Sequence, residues 1–336
     1  MRNKGNIVGV LILMIVLLMS GCTAIGKNIE KSKLQVVTTV FAPYDWTKVI
    51  LGSEAARWDL TLLLNNGVDL HNYQPSAEDI AKLSSCDLFI YVGGESDEWV
   101  EDALKAADND QMTVIRLMDV TIDQLHEEEL VEGMEEHKHE EHEEHEEHEE
   151  HEEHEGEFDE HVWLSLKNAM LYSEAISQAL SVIDPDYQNT YEINAKAYMD
   201  QLEELDKDYR HMVEKANTQT LLFGDRFPFR YLVEDYGLDY YAAFVGCSAE
   251  TEASFDTIIF LADKVNELQL KDIFILEGSN GKIAEAIKEN TLSQDMEILE
   301  LNSMQSISKE AIEGGANYLD QMKKNYLHLE QALIGE

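Results

Sequence analysis

Short apolar runs and longer amphipathic stretches alternate along the chain from Leu34 onward. The run at 34–41 (LQVVTTVF) is rich in β-branched residues and is closed by Pro43, which predicts a buried strand. The same pattern predicts strands at 60–64, 87–94 and 112–117, and helices at 44–51, 77–83 and 99–107. Because strands and helices alternate at this length, we expect a largely parallel sheet.

A long helical stretch separates this first half from a second one. Residues 187–216 carry apolar side chains at three- and four-residue steps, and as a helix they would extend about 45 Å. Strands are then predicted at 220–223, 240–244 and 271–276, and helices at 168–182, 229–236, 255–268, 282–289 and 311–333. The pattern predicts an α/β protein of two similar lobes with mainly parallel sheets, at 34–165 and 217–336, joined by long rigid linking helices at 166–216.

The first 33 residues are predicted to lie outside this fold. A basic start precedes an apolar run at 7–19, and small residues precede Cys22. The run is short for a mature membrane span and has the layout of an export signal. Its Gly-Cys end resembles a bacterial lipobox, although Met19 stands where leucine is usual. The resemblance implies a signal peptide at 1–21, lipidation of Cys22 and a tether at 22–33, which would anchor the protein on the extracytoplasmic face of the cell membrane. An uncleaved anchor or ordinary secretion is the alternative.

Acidic residues are concentrated in one segment. The chain has 68 acidic and 25 basic residues, a formal net charge of −43, and 20 of the acids lie between Glu127 and Glu160 with one lysine. The stretch 126–161 also holds nine of the 12 histidines. Without apolar periodicity and with dense like charges, 127–157 is predicted to be a disordered loop. The acidic charge rules against a nucleic-acid partner, whereas interleaved carboxylates and imidazoles suit divalent cations.

This His/Glu-rich loop is predicted to be an auxiliary metal-binding segment. Many weak sites on one flexible chain would raise the metal concentration beside a principal site. A merely solubilising acidic tract is the alternative, but it does not explain a histidine at every third position. The histidines predicted to bind metal are His137, His139, His142, His145, His148, His151 and His154.

The cysteines and the missing enzyme motifs narrow the class of protein. Besides Cys22 the chain has only Cys86 and Cys247, without CxxC spacing. We therefore expect thiols buried in the core, with a single disulfide as the alternative. The sequence contains no HExxH, GxSxG, P-loop or glycine-rich dinucleotide turn. We expect a binding protein and not an enzyme, and a zinc hydrolase is the remaining alternative from another class.

Two motifs carry candidate ligands for a principal metal site. GVDLHNYQPS at 67–76 contains His71 and lies between a predicted strand and a predicted helix, where open α/β folds bind ligands. DEHVWLSLKNA at 159–169 contains His161. Together with YLVEDYGL and GCSAETEAS further along, these motifs resemble the zinc- and manganese-type solute-binding proteins of bacterial ABC importers. The resemblance covers nearly all of 34–333.

The resemblance implies one metal ion between two lobes, with His71 and His161 as ligands. Imidazole suits Zn²⁺, and two or three histidines with a carboxylate form a usual tetrahedral shell. Relatives of the zinc type have a third histidine where this chain has Arg226, which stays protonated and cannot be a ligand. The adjacent Asp225 is the candidate for that place, with a structural Asp-Arg turn as the alternative. Glu277, at a predicted strand end, is the candidate fourth ligand, with a solvated turn as the alternative.

The sequence therefore predicts a monomeric, lipid-anchored receptor that captures Zn²⁺ and delivers it to the permease and ATPase of an ABC importer. Two alternatives stay open. Ligation by two carboxylates moves the site toward Mn²⁺ or Fe²⁺, and the protein would then be a manganese or iron receptor of the same fold. A metal-sequestering or adhesive surface lipoprotein would have no transport partner.

Overall fold

The computed structural model describes residues 33–65, 67–135, 157–248 and 252–335. The predicted signal peptide, Cys22, all but the last residue of the tether and the seven predicted loop histidines lie outside these residues. Contacts group the chain from Leu34 onward into one unit. Among the helices that are described, none is both long enough and apolar enough to cross a membrane.

The first half of the chain folds around a four-stranded sheet with the strand order β2-β1-β3-β4. Its strands are β1 (Leu34–Thr38), β2 (Trp58–Leu62), β3 (Leu88–Tyr91) and β4 (Thr113–Arg116). The accompanying helices are α1 (Phe41–Leu51), α2 (Ala77–Ser85), α3 (Trp99–Lys105) and α4 (Leu117–Val120). All strand pairs are parallel, which requires crossover connections and explains why the strands alternate with helices.

Two long helices follow, α5 (Leu166–Ile183) and α6 (Gln188–Glu214). The 27 residues of α6 extend about 40 Å. Its buried apolar side chains recur at three- and four-residue steps, as the sequence predicts, and they are Tyr191, Ala195, Tyr198, Leu202, Leu205, Tyr209 and Met212. Because α6 packs against both α1 and α5, it is held along much of its length.

The second half repeats the topology of the first, with the strand order β6-β5-β7-β8 and parallel pairing throughout. Its strands are β5 (Thr220–Phe227), β6 (Asp239–Val245), β7 (Asp272–Leu276) and β8 (Glu297–Leu301). Its helices are α7 (Arg230–Tyr236), α8 (Phe255–Leu268), α9 (Lys282–Glu289), α10 (Lys309–Glu313) and α11 (Tyr318–Ile334). The equivalent strand orders confirm the predicted α/β architecture of two similar lobes joined by a long helix.

Two elements of the second half differ from the prediction. The apolar pattern misses β8, an edge strand whose sequence EILEL has two glutamates interrupting three apolar residues. The single helix predicted at 311–333 is wrong, because the chain forms α10 and α11 instead. Gly314 and Gly315 follow α10, and Gly315 has a φ of 95° that favours glycine. Asn317 then caps α11 by accepting a hydrogen bond from the backbone of Asp320.

The two ends of the predicted disordered loop are ordered. Glu127 forms an antiparallel bridge with Phe158. The backbone N–H of Glu135 donates to the carbonyl of Ala243 in β6 at 3.1 Å. The prediction of disorder is therefore wrong for 127–135 and for the last residue of the loop, because backbone pairing overrides the polar composition. The intervening residues lie outside the described part of the chain.

An aromatic cluster ties the first lobe to the helices that follow it. Trp46 of α1 stacks on Tyr172 of α5, with ring centroids 5.5 Å apart. Its other side meets Tyr318 of α11 edge-on at 5.1 Å. These residues belong to one buried apolar cluster that extends from β1 to α11. The two lobes therefore share a continuous core, and a smaller apolar cluster lies around α8 and α9.

Asp45 fixes the start of α11 against α1. Its buried carboxylate accepts the backbone N–H of Tyr318 at 2.8 Å. Burial raises the pKa of Asp45 to about 6, although this hydrogen bond and the charge of Lys48 act in the opposite direction. The folded protein thus carries an ionised carboxylate in its interior at neutral pH.

We predict that Asp45→Asn gains stability relative to the wild type as pH rises from about 4 to about 7. The folded-state pKa of about 6 exceeds the usual 3.8, so the folded wild type binds more protons between these values and loses stability as pH rises. The amide still accepts from Tyr318 but does not titrate. A shift of about two pKa units corresponds to roughly 3 kcal/mol. Urea unfolding across this pH range measures the difference. A difference independent of pH, or one equal to that of the exposed control Asp200→Asn, would contradict it.

Candidate metal centre

His71 is held by a single turn of 3-10 helix, Leu70–Asn72, that follows β2. Asp69 caps this turn, and its carboxylate accepts the backbone N–H of His71 at 3.1 Å. Leu70 is buried beneath the turn. The local sequence therefore orients the His71 ring from the edge of the first sheet where its parallel strands end.

His161 is held by a second turn, Val162–Leu164, which is anchored in the core. All three side chains of the turn are fully buried, and the indole N–H of Trp163 donates to the carbonyl of Ser303 at 2.8 Å. The Asp159 carboxylate accepts the backbone N–H of His161 at 2.8 Å. His161 itself is 0% exposed, so its ring has little freedom to move.

The two imidazoles meet through their Nε2 atoms, which lie 3.3 Å apart. Two nitrogens bound at about 2.0–2.1 Å to one tetrahedral zinc ion are separated by about 3.3–3.4 Å, so the observed spacing fits such a site. Nδ1 of His161 lies 2.9 Å from the Asp159 carboxylate. Nδ1 of His71 lies 2.9 Å from the Ser96 hydroxyl and 3.5 Å from the Glu160 carboxylate. Acceptors at Nδ1 leave Nε2 of each ring as the metal-binding nitrogen.

Burial and neighbouring charges set the protonation of the pair. Burial, together with the adjacent His161, lowers the pKa of His71 to about 3, so the His71 ring is neutral at physiological pH. Burial also opposes a charge on His161, but the charge and hydrogen bond of Asp159 outweigh it and raise the pKa of His161. Because the pKa of His161 is raised, protons compete more strongly with a divalent cation for this ring than for an ordinary imidazole.

Arg226 lies beside the two histidines and bridges the lobes. Its guanidinium donates to the carboxylate of Asp69 at 2.8 Å and to the carbonyl of Ser248 at 3.1 Å. When the amide of Gln305 donates to Asp69, its oxygen lies 2.7 Å from Nε2 of His161. Arg226 thus joins β5 to the turn that presents His71, and it neutralises a carboxylate next to the site.

The two predicted carboxylate ligands line another cavity, of about 280 Å³. Asp225 accepts backbone N–H groups from Arg226 at 2.9 Å and from Leu276 at 3.3 Å. Glu277 accepts the N–H and the hydroxyl of Ser303, both at 2.7 Å. A register irregularity of β5 between Phe223 and Arg226 accompanies this placement of Asp225.

Neither carboxylate joins the histidine pair in the described part of the chain. The group of ligand atoms that lie within 4.8 Å of one another consists there of His71, His161 and Cys247. The assignment of Asp225 and Glu277 as ligands therefore stays a prediction from the family resemblance.

Cys247 is the neighbour of the histidines that the sequence analysis missed. It follows β6, its backbone N–H donates to the Glu128 carboxylate at 3.1 Å, and it lines a cavity of about 380 Å³ with His71 and Glu160. Both Cys247 and Cys86 are free thiols, so they form no disulfide. The prediction that both thiols are buried in the core is confirmed for Cys86. It is wrong for Cys247, which is partly exposed. Its place just after a parallel strand is the signal that could have identified it.

Two similar α/β lobes, a long linking helix and a close pair of histidines agree with the class of metal-binding solute receptors that the sequence motifs resemble. A family model described as ZnuA, zinc-uptake complex component A, periplasmic, matches residues 36–332. The match covers most of the chain, so this protein belongs to that family.

Individual relatives agree with the family match. The chain is 33% identical over 302 residues to the zinc-binding lipoprotein AdcA of Streptococcus pneumoniae (strain ATCC BAA-255 / R6), covering 89% of this chain but only 56% of that relative. It is 32% identical over 302 residues to the high-affinity zinc uptake system protein ZnuA of Bacillus subtilis (strain 168), covering 90% and 88%. The crystal structure of the Zn(II)-bound ZnuA-like domain of S. pneumoniae AdcA has a TM-score of 0.69 and 28% identity, covering 90% of this chain and 99% of that one. The chain thus spans about half the length of the streptococcal relatives and nearly all of that domain.

We predict that Asp69 and Arg226 are coupled by about 1–2 kcal/mol, between the values of exposed and fully buried ion pairs. Their side chains are 17% and 21% exposed, so solvent screens them only in part. A double-mutant cycle with Asp69→Asn and Arg226→Ala, followed by urea unfolding, isolates this coupling from the cap that Asp69 provides. The exposed pair of Lys196 and Asp200 on α6 is the control, with an expected coupling of about 0.3–0.5 kcal/mol. Equal couplings in the two cycles would argue against a lobe-bridging role.

Proposed function

We propose that this protein is an extracytoplasmic receptor that captures Zn²⁺ and delivers it to an ABC importer. The observation that carries the proposal is the pair of Nε2 atoms of His71 and His161, 3.3 Å apart with an acceptor behind each ring. Nitrogen donors at this spacing suit Zn²⁺ better than Mn²⁺, which prefers oxygen. The zinc-binding relatives AdcA and ZnuA support the same ion.

The ligand set that we propose begins with His71 and His161. The family resemblance adds Asp225 and Glu277, which would give the oxygen-richer shell of a manganese or iron receptor. In the structure both carboxylates are bound to backbone N–H groups. To bind an ion together with the histidines, each carboxylate would have to move toward the pair from the separate cavity that it lines. The need for this rearrangement favours a zinc receptor over a manganese or iron receptor.

We further propose that the His/Glu-rich segment collects ions for this site. Its described ends support the idea, because Glu128 and Glu157 line the same cavity as His71. The described chain that follows the segment therefore begins, at Glu157, beside the histidine pair. Ions held weakly by the segment would be close to the site that binds them tightly.

The cellular setting of the proposal follows from the ends of the chain and from the family. Lipidation at Cys22 would anchor a monomer on the extracytoplasmic face of the cell membrane, with 22–33 as the tether. The permease and its ATPase would be the partners that accept the ion. The lobes at 34–165 and 217–336 and the linking helices at 166–216 would dock as one unit, which their shared apolar core supports.

We predict that His71→Ala and His161→Ala each weaken Zn²⁺ binding by more than about 100-fold, because even loss of a hydrogen-bond partner behind a ligand costs about 10–100-fold. Competition titration of the full chain with a chromophoric chelator measures the affinity for Zn²⁺, Mn²⁺ and Fe²⁺. His211→Ala is the matched control, since His211 is exposed on α6 and contacts Glu214. Tight binding that survives both substitutions would exclude the histidine pair as the site.

The same titration tests the two carboxylates. We expect Asp225→Asn and Glu277→Gln to lose less affinity than the histidine variants, because both side chains line a separate cavity and lie outside the group of ligand atoms around the histidine pair. A loss as large as that of His71→Ala would establish the carboxylate as a ligand. Tighter binding of Mn²⁺ than of Zn²⁺ by the wild type would favour the manganese receptor.

We predict that replacing residues 136–156 by a short Gly-Ser linker removes weak Zn²⁺ equivalents and leaves one tight site. Isothermal titration of the full chain separates the two classes by stoichiometry. A matched variant keeps every acid and changes the seven histidines from His137 to His154 to asparagine. It should lose the weak equivalents too, because imidazole is the stronger zinc donor. Loss of the tight site when the loop is replaced would place the principal site in the loop. Weak Zn²⁺ binding that survives in the asparagine variant would show that the carboxylates, and not the histidines, bind the weakly held ions.

A further inference from the structure

We propose that Cys247 is a thiolate ligand of the ion bound by His71 and His161. It would take the place of the third histidine that Arg226 replaces. This inference rests on the proposed function, and it goes further by naming a sulfur donor that makes the site selective for borderline-soft divalent cations.

The first support is the distance between the ligand atoms. The sulfur of Cys247 and the ring nitrogens of His71 and His161 all lie within 4.8 Å of one another. Around a tetrahedral zinc ion, with Zn–S of about 2.3 Å and Zn–N of about 2.0–2.1 Å, sulfur and nitrogen are about 3.6 Å apart. A change of about 1.2 Å or less in these separations therefore brings the three atoms to the spacing of ligands around one ion.

The second support is how the turn that carries Cys247 is packed. A Cβ atom on the preceding Gly246 would lie 3.0 Å from Cε1 of His161 and 2.9 Å from the carbonyl of Phe227. The backbone of residue 246 thus rests directly on the His161 ring, and a larger side chain would push the turn away from it. On the other side, the N–H of Cys247 donates to Glu128 at 3.1 Å.

The third support is the role of Arg226. Its guanidinium donates to the carbonyl of Ser248, the residue after Cys247, and to Asp69 in the turn of His71. The arginine that removes a nitrogen ligand therefore holds together the two segments that carry Cys247 and His71. An arginine at the position of the expected third histidine and a cysteine beside the remaining two are therefore compatible with a single metal site.

A purely structural thiol is the competing explanation, and Cys86 shows what one looks like. Cys86 is 0% exposed and lies in the apolar core. Cys247 is instead partly exposed, in a cavity with His71, Glu128 and Glu160. Thiolates select zinc-like ions, whereas Mn²⁺ prefers oxygen ligands. A sulfur ligand would therefore set the metal preference of the receptor.

The test uses the reduced full chain loaded with Co²⁺ as a spectroscopic probe of zinc sites. We expect a sulfur-to-cobalt charge-transfer band in the wild type and in the matched control Cys86→Ser, and no such band in Cys247→Ser. Zn²⁺ affinity of Cys247→Ser should fall about tenfold or more, with a smaller change for Mn²⁺, since one ligand bond is lost. Cys247→His should restore Zn²⁺ affinity without the band, which a general folding defect would not allow.

The outcomes separate this inference from the proposed function. If the wild type shows no charge-transfer band, or if the band persists in Cys247→Ser, the thiolate is excluded. If the thiolate is excluded but His71→Ala still abolishes tight Zn²⁺ binding, the proposed receptor function stands without Cys247 as a ligand. If neither histidine variant changes Zn²⁺ affinity, the proposed function fails as well.

Discussion

The close approach of the buried His161 ring and the partly buried His71 ring is the constraint on which the site depends. Two Nε2 lone pairs 3.3 Å apart repel each other unless a proton or a cation lies between them. The surrounding acceptors prevent the rings from turning away, since Asp159 holds Nδ1 of His161 and Ser96 faces Nδ1 of His71. The shared core keeps the two supporting turns in place. The fold thus maintains an arrangement that is costly by itself and that a divalent cation stabilises.

Arg226 changes the balance of charge around this pair. A guanidinium next to two imidazoles would oppose a divalent cation if its charge were free. Its pairing with Asp69 at 2.8 Å cancels that charge locally and uses the carboxylate as a bridge between lobes. Among the acids near the pair, Asp159 and Glu160 lie behind the rings, where they favour a cation. The pairing of Arg226 with Asp69 therefore keeps the site receptive to positive charge.

Sequence patterns predicted most elements because strands buried on both faces give continuous apolar runs. They missed β8, where only one face is buried, and the break at Gly314 and Gly315 inside an otherwise helical pattern. The motifs identified His71 and His161, but their approach to Cys247 depends on how the edges of the two sheets meet. No local pattern of apolar and polar residues predicts how the edges of the two sheets contact each other. The placement of Asp225 likewise depends on an irregularity of β5 that forms only when the strand pairs with its neighbour.

The acidic segment and the histidine pair act over different distances. Attraction between a cation and many carboxylates does not distinguish Zn²⁺ from other divalent ions, and salt screens it beyond about 8–10 Å. Discrimination requires direct bonds, because only ligand type and geometry separate ions of equal charge. A chain with 68 acidic residues attracts divalent cations in general. Under the proposed function, selectivity would therefore reside in direct bonds to the nitrogen and sulfur atoms of His71, His161 and Cys247.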